Sequence, residues 1–421
     1  MGIQASNLNG QIIKDLLNKN YGIEIMEIEK INRGTANIFK VESNDKVYIL
    51  KEFSEGRTEE SVIKETNIIN FLKKKGINVP VYIKSKQNSF YIKFENRIII
   101  LQECIDGYTM ENNTGDYQKT IESAKILGKM TQALKDYEGL EEDGIIEKWF
   151  SKESLENKII QMEDFKKSIK NDNKYKEVFL KDLEDKIEIA KKLKEKFDFS
   201  IISKMSIMNS HGDYSVQQLI YNNEKETSVI DFESAKRLPI MWEIIRSYTY
   251  IDKDVKNGEM NIDTFVEYVN EISKYVELNE FDLKYCAYIY LIQIVGSLYG
   301  YKQYNENYEQ TELLNFAIFR TNLCRYLYEH LDEIGTRLEK EVTEYMKKEK
   351  LAAGSRILFL LPLALIVTLF ECVPLGGMVL KSITNHGTLT MEYFHQILEK
   401  PVYTAAIKNS LWIAFLSTVV G

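Results

Sequence analysis

Four cysteines, four histidines and five prolines are few for a chain of 421 residues, and each shortage removes a class of protein. Cys104, Cys286, Cys324 and Cys372 stand far apart, with no CxxC pair and no histidine cluster beside them. Disulfide scaffolds and structural zinc sites are therefore poor readings, and reduced, mostly buried thiols are preferred. Basic charge is not in excess either: 55 Lys and Arg stand against 63 Asp and Glu, a net charge of -8. This balance argues against nucleic acid as a partner bound through a broad basic face and leaves small ligands open. The N-terminal MGIQASNLNGQIIKDLL lacks the basic-then-apolar order of a secretory signal. What is present is an apolar fraction of 44%, enough to bury cores in two or three domains.

Proline also marks a change of character. Only Pro80 and Pro239 precede Lys350, whereas Pro362, Pro374 and Pro401 follow it in a stretch with few charges. A boundary is expected near Leu351. Ile357 to Leu380 reads ILFLLPLALIVTLFECVPLGGMVL, and Glu371 is its one ionisable residue besides the cysteine. About 20 apolar residues suffice to cross a bilayer, so residues 357–380 are expected to insert in the cytoplasmic membrane. Lys347, Lys348, Lys350 and Arg356 come before it, and the positive-inside rule then places the preceding residues in the cytoplasm. From Ser410, SLWIAFLSTVVG reads as a second span that stops after a dozen residues. The tail, 351–421, resembles the beginning of an ABC-transporter permease, which implies a truncated permease-like segment.

Before the boundary, INRGTANIFKVESNDKVYILKEF offers two runs with strand alternation, Ile38 to Glu42 and Lys46 to Phe53, joined by a Ser-Asn-Asp turn. Gly34 precedes the first run, where a glycine lets backbone amides approach a phosphate, and Lys51 in the second could reach the same phosphates. RTEESVIKETNIINFLKKKGINVP has Val62, Thr66, Ile69 and Leu72 at helical spacing, with Gly76 and Pro80 ending it. Glu65 in mid-helix is either a solvated carboxylate or the partner of Lys51. SFYIKFENRIIILQECIDG then reads as two strands around Glu95-Asn96, after which the pattern is mostly helical. A strand-rich small lobe, a linker near 103–107 and a helix-rich large lobe follow, and ligands commonly bind between two such lobes.

HGDYSVQQLIYNNEKETSVIDFE, His211 to Glu233, reads as a loop and a hairpin with Asp213 before one strand and Asp231 at the end of the other. Two acids so placed suit a metal-bound phosphate held beside a hydroxyl group. Residues 25–345 resemble the aminoglycoside phosphotransferase and choline kinase family, which has the protein-kinase-like fold. HGDYSVQQ is similar to its catalytic loop, VIDFE to its metal loop, RGTANIFKV to its nucleotide loop, and VYILKEF to its lysine strand. KETNIINFLKKKGINVP is similar to its Glu-bearing helix, RIIILQECIDG to its linker, and PIMWEIIRSYTY to the helix after the metal loop. The fold class implied is α+β and bilobal. Residues 1–103 form a nucleotide-binding N-lobe, 104–350 a helical C-lobe, and 351–421 a transmembrane tail.

The resemblance implies an ATP-dependent (or GTP-dependent) small-molecule kinase using Mg2+ on a hydroxyl acceptor. Asp213 orients the acceptor hydroxyl and takes its proton, and Asp231 binds the magnesium. Lys51 contacts phosphates with Glu65 holding it, while Gly34, Glu103 and Ile105 complete the nucleotide site. Phosphoryl transfer asks mainly for such positioning and charge neutralisation. His211 has a structural role in this reading. Gln218 stands where the family has a metal-binding Asn, and its extra methylene moves the amide oxygen by about 1.5 Å on a fixed backbone. Trp242, Glu243 and Tyr248 are expected to line the acceptor pocket. One alternative, beside a fragment fused to an ABC-transporter permease, is a noncatalytic, spore-coat-type binding protein of the same fold. Gln218 and the absence of a histidine near Leu134-Lys135 motivate it.

Overall fold

The computed structural model describes residues 6–31, 36–141, 144–222, 226–385 and 387–420, with backbone alone at 350, 352–367, 371–372 and 414–420. The chain divides into two compact units, Met1–Met346 and Lys347–Gly421.

The first unit begins with helix α1 (Gly10–Tyr21), capped by Asn9, whose side chain accepts from the Ile12 amide, and closed by Gly22 at φ 74°. A five-stranded antiparallel sheet follows, built from β1 (Glu27–Ile31), β2 (Asn37–Glu42), β3 (Val47–Glu52), β4 (Tyr91–Phe94) and β5 (Arg97–Glu103) in the order β1-β2-β3-β5-β4. Helix α2 (Glu59–Lys74) is inserted between β3 and β4. It starts at the Thr58 cap with Glu59 and Glu60 in its first turn and Lys73 and Lys74 in its last, signs that suit the helix dipole.

Strand alternation sends the sheet's two faces into two cores. Phe39, Val41, Leu50, Ile99 and Leu101 pack with Ile13 and Leu17 of α1, whereas Ile98 and Ile100 join Val62, Ile69 and Leu72 of α2. Because both faces are covered, β5 is apolar without interruption from Ile98 to Leu101. Leu50 faces α1, so its neighbour Lys51 faces α2.

The helical part contains α3 (Tyr117–Leu134), α4 (Ile145–Phe150), α5 (Lys152–Ser168), α6 (Lys176–Lys196), then, after the strands below, α7 (Ile240–Ile251), α8 (Ile262–Ser273), α9 (Glu280–Ile294), α10 (Tyr301–Glu306) and α11 (Thr311–Glu329). Short strands β6 (Ile207–Ser210), β7 (Leu219–Ile220), β8 (Ser228–Val229) and β9 (Lys236–Pro239) pair as β6 with β9 and β7 with β8. These two ribbons carry the loops of the site.

Helix α12 (Leu331–Val367) is followed by a π-helical turn, Thr368–Cys372, a helix Val373–Ile383, and helices Glu392–Glu399 and Pro401–Val420. Among the described residues, no helix is long and apolar enough to cross a membrane. This overturns the expected insertion of residues 357–380, and the cytoplasmic assignment of the preceding residues loses the anchor on which it rested. Within the apolar run α-helical geometry gives way to a π-helical turn at Thr368–Cys372, and Pro374 removes an amide donor just beyond. The 11-residue helix Val373–Ile383 reaches about 16 Å at 1.5 Å per residue, short of a hydrocarbon core of about 30 Å.

Candidate active site

The catalytic-loop residues lie between β6 and β7. Gly212 has φ 80°, and a Cβ there would collide with the Ser234 carbonyl, so only glycine fits this crossing of the two loops. Buried His211 ties the loops together. Its Nε2 donates to the Ile230 carbonyl at 2.9 Å and its Nδ1 accepts from the Asp213 amide at 3.3 Å. Both ring nitrogens are therefore committed to positioning. The Ile230 amide also donates to the Gln218 carbonyl at 3.0 Å. Asp231 follows at φ 70°, a left-handed conformation that aspartate tolerates better than branched residues.

Asp213 is held on both carboxylate oxygens. Arg246 of α7 forms an ion pair with Oδ1, and the Gln218 side-chain nitrogen donates to Oδ2 at 3.3 Å. Arg246 is fixed in turn by its bond to the Tyr214 carbonyl at 2.9 Å and lies over the Tyr250 ring, 4.9 Å from its centroid. The Gln218 oxygen accepts from the Ser215 hydroxyl. The expected role of Gln218 at a magnesium ion has a competitor here, since its side-chain nitrogen faces the Asp213 carboxylate and its oxygen the Ser215 hydroxyl.

Three residues expected at the acceptor pocket are instead in the interior. Glu243 is fully buried and accepts from the His211 amide at 2.9 Å and the Gly212 amide at 2.6 Å, so it braces the catalytic loop from behind. Burial pushes its carboxyl up, opposed by His211 and by these amides. Tyr248 donates to the Asn261 carbonyl and packs on Phe265 and Tyr268. Trp242 packs against Trp149 with centroids 5.2 Å apart and is 3% exposed. The helix IMWEIIRSYTYI is apolar except for its charged pair, and a buried helix face explains all three positions.

On the small-lobe side, Glu65 is buried and accepts from Arg57 at 2.8 Å and from the Tyr82 hydroxyl at 2.9 Å. Burial pushes the Glu65 carboxyl up; Lys51 opposes this and Asp231 adds to it, so all three charges share one region. The described residues include no ion pair between Lys51 and Glu65 within 4.0 Å. Arg57 takes the partner's place expected for Lys51. Asn78, in the segment after α2, joins the small lobe to the hairpin: its carbonyl accepts from the Val229 amide and its side chain donates to the Glu226 carbonyl.

In the linker, the Glu103 amide donates to Val81 and the Cys104 amide to Val47. Among the described residues the Ile105 amide has no hydrogen-bond partner. Gly107 closes the linker against the Tyr221 carbonyl, where a Cβ would collide. Gly34 lies outside the described residues.

Among the described residues no group of three or more His, Cys, Asp or Glu gathers as a metal cage. Magnesium is commonly held by one or two carboxylates with the remaining positions filled by phosphate oxygens and water. Asp231 suits this role, since among the described residues its carboxylate has no hydrogen bond or ion pair.

Sequence reasoning passed over Arg57, Arg246, Tyr82 and Asn78. Arg246 had a signal: a lone cation three residues after a lone acid in an apolar helix must be buried with a partner. Arg57 had none, because it sits in a turn just outside its helix.

A β-sheet N-terminal part joined to a helical part, with paired loops between them, defines a kinase-like fold. The profile of the Phosphotransferase enzyme family matches residues 27–261, more than half of the chain, and the chain belongs to this family. Solved structures agree on the fold. Spectinomycin phosphotransferase, in complex with ADP and spectinomycin, is 16% identical with a TM-score of 0.54 over 77% of this chain and 98% of its own. An aminoglycoside phosphotransferase from Alicyclobacillus acidocaldarius is 14% identical with a TM-score of 0.55 over 78% and 98%. A microcompartment-associated aminopropanol kinase is 12% identical with a TM-score of 0.53 over 78% and 100%. None of the curated proteins compared by sequence matches. The family match ends at residue 261 and does not extend to the tail.

Proposed function

We propose that this chain transfers the γ-phosphoryl group of ATP, or of GTP, to a hydroxyl of a small molecule. The carrying observation is the pairing of two loops that carry Asp213 and Asp231, joined through His211 to the Ile230 carbonyl, with the charges of Asp231 and Lys51 both acting on Glu65. In this reading Asp213 orients the acceptor hydroxyl and receives its proton as the oxygen attacks phosphorus. Arg246 and Gln218 fix the direction of its carboxylate, so the geometry is set before substrate arrives. Lys51 neutralises phosphate charge. The backbone of Glu103 and Ile105 receives the base. Magnesium, held by Asp231, supplies charge neutralisation between the nucleotide phosphates.

The acceptor class divides between amino alcohols, aminoglycosides and hydroxyl compounds with an acidic group. Arg246 stacks on Trp242 and Tyr250 beside Asp213, and this cation favours including anionic hydroxyl compounds in the panel. The test is a magnesium-dependent transfer assay on the full chain with aminoglycosides, choline, ethanolamine, homoserine, sugars and hydroxy acids. Transfer in the native chain and its loss in Asp213→Ala supports the proposal; no transfer to any member, with nucleotide bound, sinks it.

That second outcome is the signature of the alternative, a noncatalytic nucleotide-binding protein. Its specific support is the engagement of both Asp213 oxygens by Arg246 and Gln218, which occupies the carboxylate that an acceptor hydroxyl would have to reach.

A further inference from the structure

Arg57 lies in the turn before α2, where its amide donates to the Ser54 carbonyl at 3.3 Å, and its side chain is only 8% exposed. One terminal nitrogen donates to Glu65 at 2.8 Å. The other is paired with Glu233, two residues past Asp231, and the guanidinium lies 4.9 Å from the centroid of the Phe53 ring. One cation therefore joins the carboxylate of α2 to the turn Phe232–Ser234 that follows the metal-loop aspartate.

We propose that Arg57 is a positioning residue that sets the orientation of the Asp231 turn and satisfies Glu65 in place of Lys51, leaving the Lys51 amine for phosphate. The proposal rests on the phosphotransferase reading of the site. Glu233 is 44% exposed, and an ion pair at such a residue is normally weak. Here the other end of the fork is anchored at Glu65, 2% exposed, so the guanidinium is already ordered when it meets Glu233. The turn is then fixed from two sides. Arg57 holds Glu233, and Gly212 packs against the Ser234 carbonyl. Asp231 precedes these two contacts and directly follows Ile230, whose carbonyl accepts from His211. A lysine could not serve both carboxylates in this way, because a single ammonium lacks the planar fork.

The test uses the full chain and ADP as probe, titrated with Mg2+ present and with Mg2+ chelated by EDTA. Arg57→Ala is expected to weaken Mg·ADP binding by about tenfold or more while changing metal-free ADP binding by less than about twofold. Glu233→Gln should move in the same direction by less, and should add little on top of Arg57→Ala, because the two residues act through one contact. Arg57→Lys should restore only part of the loss. In the metal-free protein, hydrogen exchange of the 232–235 amides should quicken in Arg57→Ala while that of β7 and β8 stays unchanged, which a global loss of stability would not produce. Equal losses of Mg·ADP and ADP, or no loss in a variant that melts like the native chain, overturns the proposal. Should Arg57→Ala not fold, Glu233→Gln decides alone: a magnesium-selective loss supports the role and its absence refutes it. A native chain that binds neither form of ADP overturns the phosphotransferase reading and this one with it, and is recognised because the failure occurs before any substitution.

Discussion

Asp213 and Asp231 occupy neighbouring loops of one site and are treated in opposite ways. Asp213 meets a guanidinium on one oxygen and an amide on the other, and its own backbone amide is held by His211. Asp231, among the described residues, has no side-chain partner, although its charge is felt by Glu65 and Tyr82. The difference separates two jobs. In the proposed reading the group that would point at an acceptor is oriented by the protein, while the group that would hold a cation is left without a competitor among the described residues.

Four substitutions break or sharpen this comparison. The largest effect is expected from Asp213→Ala, which leaves Arg246 buried without its carboxylate. Unfolding free energy should fall by about 3 kcal/mol in a urea melt, in addition to loss of transfer of about a thousandfold. Unchanged stability would show that the pair orients nothing.

Lys186 is a control from another part of the fold, a buried cation bonded only to the Ser297 carbonyl and set over the Tyr301 ring. Burial pushes its pKa down to about 8. The folded group therefore binds protons less readily than the unfolded one, and stability from this source is lost below about pH 8 and regained as pH rises toward 10.5. Lys186→Met should stabilise the chain at pH 7 by about 2 kcal/mol, the desolvation relieved less one hydrogen bond. The gain should shrink above pH 8; a gain that grows with pH contradicts the assignment.

Asp231→Asn is expected to alter metal-free stability by less than about 0.5 kcal/mol, since it breaks no contact. The same change should abolish the rise in melting temperature produced by Mg·ADP. Destabilisation of the metal-free chain by more than 1 kcal/mol would mean that Asp231 is committed after all. The smallest effect belongs to Gln218→Asn, which withdraws the amide from Asp213 and changes transfer by less than about tenfold, with less magnesium needed for half-maximal rate. An unchanged magnesium requirement removes position 218 from metal binding altogether.

Legibility along the chain followed the strength of local patterns. β2, β3, β4 and β5 could be read from alternation and their turn residues, and α2 from its spacing and the Gly76 stop. β1 could not, because its exposure pattern leaves nothing fully buried to alternate, and it is held by pairing with β2. Asp213, Asp231, Lys51 and Glu65 were visible as motif residues; Asp213 and Asp231 stand on the paired loops, and the charges of Lys51 and Asp231 both act on Glu65. Trp242, Glu243 and Tyr248 were visible as a cluster, but which way a helix turns its faces depends on what packs against it. The tail misled for a related reason. Hydropathy counts residues without regard to the helix that carries them, and in the apolar run α-helical geometry gives way to a π-helical turn at Thr368–Cys372.

By itself the sequence determined the order of elements, the family and the identity of the acids, because periodicity, turn chemistry and motif spacing are local properties of the chain. Only the tertiary structure decided that Arg57 rather than Lys51 holds Glu65, that Gln218 faces Asp213, and that Glu243 supports the loop from within. Each of these joins residues from separate elements, and the choice among several cations and acceptors is made by distance and burial, which no spacing along the chain encodes.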